Sequence, residues 1–502
     1  MHTAPKAPSL PVQGPSPLAL GLICLGALAA CTAPTASTAP TYYGDAKPII
    51  ESRCASCHRP GDIGPFSLTS YEEVKQFAGA SRASIESGSM PPWQASDDCN
   101  SYQGNFDLTS EERTTLLAWF DAGAPEGDPA SAAGSRPPPE PFATDINLKL
   151  PEPYAPPAQS DDYRCQLIPW PATETRFVTG IRVKPDQRAL VHHVIVFLVG
   201  PTQAAQFRAY DDAEAGPGYT CYGGPRATTA TTGIQGIDPA TLLPALTKVG
   251  LTPRDVQTKN VTEAQFVALA KELGREPGGF NSLGSWVPGA SPRPFPSGTG
   301  IRVEPGSMLV AQVHYNTSSS ASTPDQSVIE LATTTSVERE STMLAAVDLG
   351  WVSNGFIRQP MTIPAGMADV QHSTSLAFDS PFLRQARQNL KLPDNAPLKL
   401  HTADHHMHTL GTSQRTELRR ADGSTQCLLE TPDWDFQWQG RYTFAEPTTF
   451  RAGDALWMGC KWDNSAANQP LRNGVPGVPV DVKWGENTSD EMCLAAFYVT
   501  AQ

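Results

Sequence analysis

His405-His406-Met407-His408, together with Glu491-Met492-Cys493 near the C-terminus, is the stretch around which the rest of the sequence is organised. His406 and His408 are two residues apart, so on a β-strand both imidazoles point to one face and can reach one ion. The thioether of Met492 would be a soft third ligand, and this donor set suits copper better than zinc, magnesium or calcium. Taken alone, the pattern equally fits a polar strand end with a core methionine.

The composition favours short strands and turns over long helices. The 502 residues include 48 Pro and 40 Gly, and the C-terminal two thirds show no long amphipathic periodicity. This length accommodates about three domains of ordinary size, and the larger part is predicted to be all-β. The formal net charge is -14, and basic residues neither cluster nor interleave with aromatic ones, so no nucleic-acid partner is expected.

An apolar run near the N-terminus predicts export. It extends from Leu18 to Ala30, ends in Leu28-Ala29-Ala30-Cys31, and is too short to cross a bilayer as a helix. The small residues before Cys31 resemble the lipobox of bacterial lipoproteins, in which this cysteine is lipidated. A plain secretory signal over residues 1–31 is the alternative. The lipoprotein interpretation implies a protein of the cell envelope, anchored to the outer membrane by lipid alone and facing the periplasm or the exterior.

Cys54-Ala55-Ser56-Cys57-His58 is the C-x-x-C-H pattern that attaches a c-type haem, with His58 as an axial ligand. A redox dithiol or half of a zinc site are the alternatives, but each needs a sequence context that does not follow. Met90 is the only methionine of this region and the candidate sixth ligand. Thr109 and Glu112 form a capping-box pattern before a predicted final helix. Residues 43–128 therefore resemble a small all-α class I cytochrome c domain.

A second histidine set follows a segment, residues 129–160, that is rich in Pro, Ala and Ser and predicts an extended linker. His192 and His193 interrupt an apolar strand. Neighbours on a strand face opposite ways, so both can bind one ion only at a bulge or a strand end. One buried and one exposed structural histidine is the alternative. With His314, on one face of a later strand with Gln312, they would make a nitrogen-only copper site.

The order of these motifs resembles the copper type II ascorbate-dependent monooxygenases, the family of peptidylglycine α-hydroxylating monooxygenase and dopamine β-hydroxylase. The resemblance covers about residues 161–502 and rests on His-His, Gln-x-His-Tyr, His-x-His-x-x-Gly and Glu-Met-Cys in that order. It implies two all-β jelly-roll or β-sandwich domains, residues 161–334 and 335–502. It also implies an electron-transfer copper and a catalytic copper, held respectively by His192, His193 and His314 and by His406, His408 and Met492.

The resemblance bears on the cysteines as well. Six cysteines lie outside the export segment and the haem motif. In an oxidising compartment they predict three disulfides, but sequence alone does not fix the pairing. The resemblance implies Cys165–Cys221 and Cys460–Cys493. Pairing of Cys99 with Cys427 is a further prediction, and it would join the haem domain covalently to the catalytic domain.

Two departures from the peptide-hydroxylating enzyme affect the expected substrate. Asp404 stands where that enzyme has the arginine that binds the substrate carboxylate, and Leu494 and Ala496 replace an Asn and a Tyr. These side chains would not hold a carboxylate. A peptide C-terminus is therefore not expected, and a cationic or neutral small molecule is.

The resemblance implies a copper-dependent monooxygenase that hydroxylates a C–H bond of a small organic substrate with O2. The electrons would come from a reductant such as ascorbate, or from a periplasmic donor through the fused haem. The predicted cofactors are two copper ions and one covalently bound haem c. The alternative is a non-catalytic haem–copper electron-transfer or copper-binding protein of the cell envelope.

Other residues carry weaker expectations. Alternation of Trp434, Phe436 and Trp438 predicts a strand with one aromatic face, which is either core or the wall of a substrate site. Residues 262–276 predict an amphipathic helix. The remaining histidines of the mature chain are expected to be structural: His372, His401 and His405. His405 is close enough to the candidate ligands to support them.

Overall fold

The computed structural model describes residues 39–60, 64–131, 142–158, 161–221, 224–227, 238–273, 281–287, 294–317, 322–353, 357, 359–472 and 475–502. The predicted export segment and lipidation site at Cys31 lie outside these ranges, as does part of the predicted linker. Among the described residues, no helix has the length and apolar character needed to cross a lipid bilayer.

The N-terminal region is helical and has a core of its own. A π-helical turn, Tyr42–Ala46, precedes helices α1 to α4, which are Lys47–Arg53, Tyr71–Gln76, Ala78–Glu86 and Ser110–Asp121. The predicted final helix is confirmed as α4. Thr109 accepts a hydrogen bond from the backbone of Glu112, whose carboxylate accepts one from the backbone of Thr109. Leu116 and Trp119 of α4 are fully buried in this core.

The rest of the described chain is mostly β-sheet. Its helices α5 to α10 are Ala204–Asp212, Pro239–Lys248, Pro253–Gln257, Glu263–Glu272, Leu349–Val352 and Pro381–Asn389. Its strands β1 to β21 are Ile146–Lys149, Asp162–Pro169, Arg176–Lys184, Val191–Val199, Tyr219–Thr220, Asn281–Trp286, Thr299–Val303, Met308–Tyr315, Val328–Thr334, Arg339–Ala346, Thr362–Ile363, Val370–Ala377, Leu398–His406, Gly411–Arg419, Thr425–Thr431, Arg441–Phe450, Ala455–Trp462, Leu471–Arg472, Val475–Pro476, Val482–Lys483 and Leu494–Ala501.

One eight-stranded sheet, in the order β1-β9-β3-β7-β10-β21-β13-β16, extends through both predicted copper domains. A five-stranded sheet, β5-β2-β8-β4-β6, shares a buried apolar core with its first half. A four-stranded sheet, β12-β17-β14-β15, shares another core with its second half. The predicted boundary between residues 334 and 335 falls between β9 and β10. Parallel pairing of β7 with β10 carries the large sheet across that boundary.

A register irregularity in β13 decides which side chains leave the core. The pairing shifts between Leu400 and Thr402, so Leu400 and Ala403 both lie in the core. His405 points the same way and bonds to threonines of β14 and β15. Because strand residues alternate, Asp404 and His406 point to the opposite face.

The segment between the two strands of the first histidine set contains the predicted additional helix. It is α8, which Thr262 and Gln265 begin with a capping box. Residues 274–276 of the prediction lie outside the described residues. Phe266 and Leu269 are buried in the core that the C-terminal strands share. The helix therefore has at least a packing role.

The described residues form three disulfides, Cys99–Cys427, Cys165–Cys221 and Cys460–Cys493. These are the pairs predicted from the sequence. The first joins the helical N-terminal region to β15, the second joins β2 to the residue that follows β5, and the third joins β17 to the residue before β21.

Candidate metal centre

Three histidines meet on the central strands of the five-stranded sheet. His193 on β4 lies opposite His314 on β8, and the pairing is irregular between Val191 and His193. This irregularity lets the ring of His192 turn to the same side. The Nδ1 atoms of His192 and His193 are 3.4 Å apart, and the ligand nitrogens of all three histidines lie within 4.8 Å of one another. A bulge is what two adjacent histidines need in order to share one ion.

Neighbouring groups orient His314. Its Nε2 is 2.8 Å from Asp161 Oδ1, which also accepts a 2.7 Å hydrogen bond from Thr488. The ring stacks on Tyr163 at 4.1 Å. Because a carboxylate only accepts, Nε2 carries the proton and Nδ1 keeps its lone pair. That buried Nδ1 has no hydrogen-bond partner among the described residues, so a metal ion is the group that would satisfy it.

Burial keeps His192 and His193 of the first set neutral. It lowers the pKa of His192 to about 3, with His314 as the second cause, and lowers the pKa of His193 well below its ordinary value. Neutral imidazole is the form that binds a metal. His192 and His193 therefore offer nitrogen lone pairs to a metal throughout the neutral pH range.

The second pair of histidines is held differently. His406 is the last residue of β13, whereas His408 lies in the loop that follows it and not on the predicted strand. Their rings are 5.2 Å apart and nearly perpendicular. His406 Nδ1 is 2.7 Å from Gln439 Oε1, and His408 Nδ1 is 3.0 Å from the carbonyl of Asp490. Both partners accept a hydrogen bond, so Nδ1 carries the proton in each ring. The lone pair of Nε2 therefore remains available to a metal.

Glu491 anchors this second pair. Its fully buried carboxylate accepts four hydrogen bonds, from the backbone N–H of His408 (2.9 Å), Leu410 (2.6 Å) and Met492 (3.3 Å) and from Nε1 of Trp462 (2.9 Å). Burial nevertheless raises the pKa of Glu491 to about 7. Sequence reasoning used this residue only as part of a motif. Its position directly before a candidate ligand and a disulfide cysteine was the available indication of a buried anchor.

Met492 lies beside the same anchor and is 5% exposed. Its backbone and that of His408 bond to one carboxylate, so the chain positions the methionine next to the two histidines. Cys493 follows immediately and is tied to Cys460 on β17. The backbone of Met492 is thus held by the Glu491 carboxylate on one side and by the Cys460–Cys493 disulfide on the other.

Residues 433–439 form a loop between β15 and β16, so the prediction of a strand is wrong. Pro432 and Gly440 bracket the segment and interrupt strand pairing. The ring of Phe436 stacks on His192 at 4.9 Å and lies 6.0 Å from the ring of His408. One aromatic ring therefore stands between the two histidine sets. Phe436 thus borders both histidine sets, whereas Trp434 packs against the core of the C-terminal strands. The wall of a substrate site stays a prediction.

The region that carries the second ligand set matches a known family. Residues 384–500 match the model of the copper type II ascorbate-dependent monooxygenase C-terminal domain. The match includes the second ligand set and its anchor, His406, His408, Met492 and Glu491, whereas the first histidine set lies outside it. The comparison with curated proteins gave no match.

In the matched region, residues 384–500, Asp404 is not a free acid. Arg441 lies opposite it on β16, and its Nε is 3.1 and 2.9 Å from the two carboxylate oxygens. Leu494 and Ala496 of β21 pair with His406 and Asp404 in the strand register. The neutral ion pair removes the reason for expecting a cationic substrate and leaves the expectation of a neutral one.

The haem motif lies in the turn after α1. Neither Cys54 nor Cys57 is in a disulfide. Nδ1 of His58 is 3.0 Å from the carbonyl of Phe66, so Nε2 is available as an axial ligand. Met90 follows α3 and is 37% exposed. The donor set fits a c-type haem, and residues 61–63 beside it lie outside the described residues.

The histidines expected to be structural each bond to protein oxygens. His372 contacts the carbonyl of Thr362 at 2.8 Å, and His401 contacts Thr500 Oγ1 at 2.9 Å. Both ring nitrogens of His405 are occupied by threonine hydroxyls, at 3.0 and 2.9 Å. His405 therefore supports β13 from the core side, with its ring turned away from the ligand face.

Proposed function

We propose that this chain is a copper-dependent monooxygenase that inserts one oxygen atom of O2 into a C–H bond of a small organic molecule. The second ligand set carries the proposal. It lies within the matched region and consists of two histidines and a buried methionine. The Nδ1 atoms of both histidines are hydrogen-bonded to protein oxygens. A site of two nitrogens and one thioether leaves positions open for O2, as catalysis requires.

Two copper ions would be held by the chain. His192, His193 and His314 would hold the electron-transfer copper through Nδ1. His406, His408 and Met492 would hold the catalytic copper through Nε2 and sulfur. Bound copper supplies one-electron redox chemistry and O2 binding. The overall reaction consumes substrate, O2, two electrons and two protons and yields alcohol and water.

The surrounding residues prepare the site for this chemistry. Gln439 and the Asp490 carbonyl fix the tautomers of the two histidines, and Glu491 holds the loop that bears His408. The ring of Phe436 lies between the ligand sets. There it would shield reactive species from solvent and from unproductive reduction.

The expected substrate is a small neutral molecule. Leu494 and Ala496 stand opposite His406 and Asp404, and Arg441 neutralises the carboxylate on this face. A peptide C-terminal carboxylate would have to compete with Asp404 for Arg441. An apolar group that bears the reacting C–H bond suits this surface better.

Electron supply is the role proposed for the helical region. Cys54, Cys57, His58 and Met90 would hold one haem c, and a His–Met haem is a one-electron carrier of raised potential. Ascorbate or a periplasmic donor would reduce it. Cys31 would carry the lipid that anchors the exported protein to the outer membrane.

Metal and haem content of the full chain, purified after haem attachment and copper loading, tests the proposal. We expect two coppers and one haem per chain. Met492→Ala should lose about one copper, since each ligand contributes to the affinity of its own site. Met367→Ala is the matched control, because Met367 is 54% exposed and distant in sequence from the ligands. Haem without stoichiometric copper would overturn the proposal.

Oxygen uptake by the reduced, copper-loaded protein tests catalysis itself. With a suitable neutral substrate, most of the O2 consumed should appear as hydroxylated product. Little uptake with every candidate substrate would instead indicate a non-catalytic haem–copper electron carrier.

A further inference from the structure

The segment that follows the candidate haem ligand Met90 is attached to the monooxygenase C-terminal domain. This docking segment, residues 93–106, adds to the edge of β16. Gln103 N donates to the carbonyl of Thr443 at 2.7 Å, and Ala445 N donates to that of Ser101 at 2.8 Å. Backbone pairing of this kind fixes the segment in register with the catalytic strands.

Covalent and aromatic contacts strengthen the attachment. The Cys99–Cys427 disulfide joins the segment to β15. Trp93 lies edge-on to Tyr442 at 5.0 Å between ring centroids, and Tyr102 lies 5.6 Å from the same ring. The docking segment is therefore part of the catalytic core, while its N-terminal end leads directly to Met90.

Gln94 connects the docking segment to the loop at residues 433–439. With its amide nitrogen facing the Trp438 carbonyl, it donates a 3.1 Å hydrogen bond there and accepts one of 2.8 Å from Asp435 N. The residue after Trp438 is Gln439, whose side chain lies 2.7 Å from His406 Nδ1. Two hydrogen bonds and one residue of covalent chain thus link Gln94 to a ligand of the second set.

The contact of the same loop with the first set is different. Phe436 meets His192 only by ring stacking, at 4.9 Å. Electron tunnelling decays less steeply along covalent and hydrogen bonds than across a van der Waals gap. The bonded route to His406 is therefore the better conductor of the two.

We propose that electrons pass from the haem region through the docking segment, Gln94 and Gln439 directly to the His406–His408–Met492 set, without first entering the His192–His193–His314 set. This inference rests on the proposed function. With haem and copper bound, each transfer would oxidise the haem from Fe(II) to Fe(III) and reduce the accepting copper from Cu(II) to Cu(I). Re-reduction of the haem by an external one-electron donor would allow the next transfer.

Anaerobic stopped-flow measurement on the full haem- and copper-loaded protein tests the route. The haem is reduced photochemically while both coppers are oxidised, and haem reoxidation is followed by absorbance and Cu(II) by electron paramagnetic resonance. His314→Ala removes the copper of the first set, and the rapid phase should persist in it. Loss of the rapid phase in this variant would overturn the proposal, since the first set would then be the entry point.

A matched pair of glutamine variants tests the bonded path. Gln94→Leu should slow haem reoxidation about tenfold, equivalent to about 1.4 kcal/mol of added barrier. Gln103→Leu is the control, because that side chain also belongs to the docking segment but bonds to the carbonyl of Phe444. Its rate should be unchanged. An unchanged rate in Gln94→Leu, or equal slowing in both variants, would refute the path.

Product formation with ascorbate separates this inference from the proposed function. Substrate hydroxylation with ascorbate as the reductant, but without rapid haem-to-copper transfer, would refute the route. It would still support the monooxygenase function. Rapid transfer without product from any candidate substrate would support the route and refute the monooxygenase function.

Discussion

The two ligand sets use the same residue type in opposite ways. His192, His193 and His314 turn Nδ1 inward from the central strands of a sheet, and the backbone geometry of these strands brings their ligand nitrogens within 4.8 Å of one another. His406 and His408 instead have Nδ1 engaged and leave Nε2 available, at a strand end and in a loop. The first set is rigid because a sheet carries it, whereas the second depends on its hydrogen-bond partners. This difference suits an electron relay on one side and an open reaction site on the other.

The largest effect is expected from removal of Glu491, the anchor of the second set. Glu491→Ala would leave four buried N–H donors without an acceptor and should lower the free energy of unfolding by about 4 kcal/mol or more. Thermal and denaturant unfolding of the metal-free protein measure this change. Glu446→Ala, at an exposed glutamate on β16, should unfold like the parent. Similar stability for the two variants would contradict the anchoring role.

A pH effect on stability tests the burial of His401, a structural histidine of β13. Burial lowers the pKa of His401 from its ordinary 6.5 to about 4. Between these values the unfolded chain binds a proton that the folded chain excludes, so stability falls as the pH is lowered from about 6.5 to 4. This one group contributes about 3 kcal/mol to that loss.

The corresponding variant is His401→Gln. Its unfolding midpoint should vary less with pH over that window than that of the parent, and its copper content should be unchanged. Equal pH slopes for the two proteins would show that His401 titrates normally in the folded state.

Removal of one supporting group from each set should produce smaller and separate effects. Asp161→Asn should weaken copper binding at the first set, and Gln439→Leu at the second, each by about 10- to 100-fold, because both groups orient a ligand ring. Copper titration against a competing chelator measures both sites. Asp162→Asn is the control, since Asp162 bonds to the hydroxyl of Tyr154. If either variant lowered copper affinity at both sites, the two sets would be coupled rather than independent.

Local patterns accounted for much of what was predictable. The capping boxes at Thr109 and Thr262 begin the helices expected there, because a cap is made by residues three apart. Adjacent histidines required a bulge, and β4 has one. The aromatic segment at 433–439 was misjudged because alternation describes a strand only where a partner strand exists.

Side-chain chemistry and short spacings were enough to predict the candidate donors: three imidazoles, two imidazoles with a thioether, and a thiol pair with a histidine. They were also enough to predict that six cysteines join in three disulfides. The folded chain was needed to show which nitrogen each ring presents, that Glu491 anchors one set, that Arg441 neutralises Asp404, and that one sheet crosses the predicted domain boundary. These features depend on contacts between residues far apart in the chain, and no local pattern in a single sequence encodes such contacts.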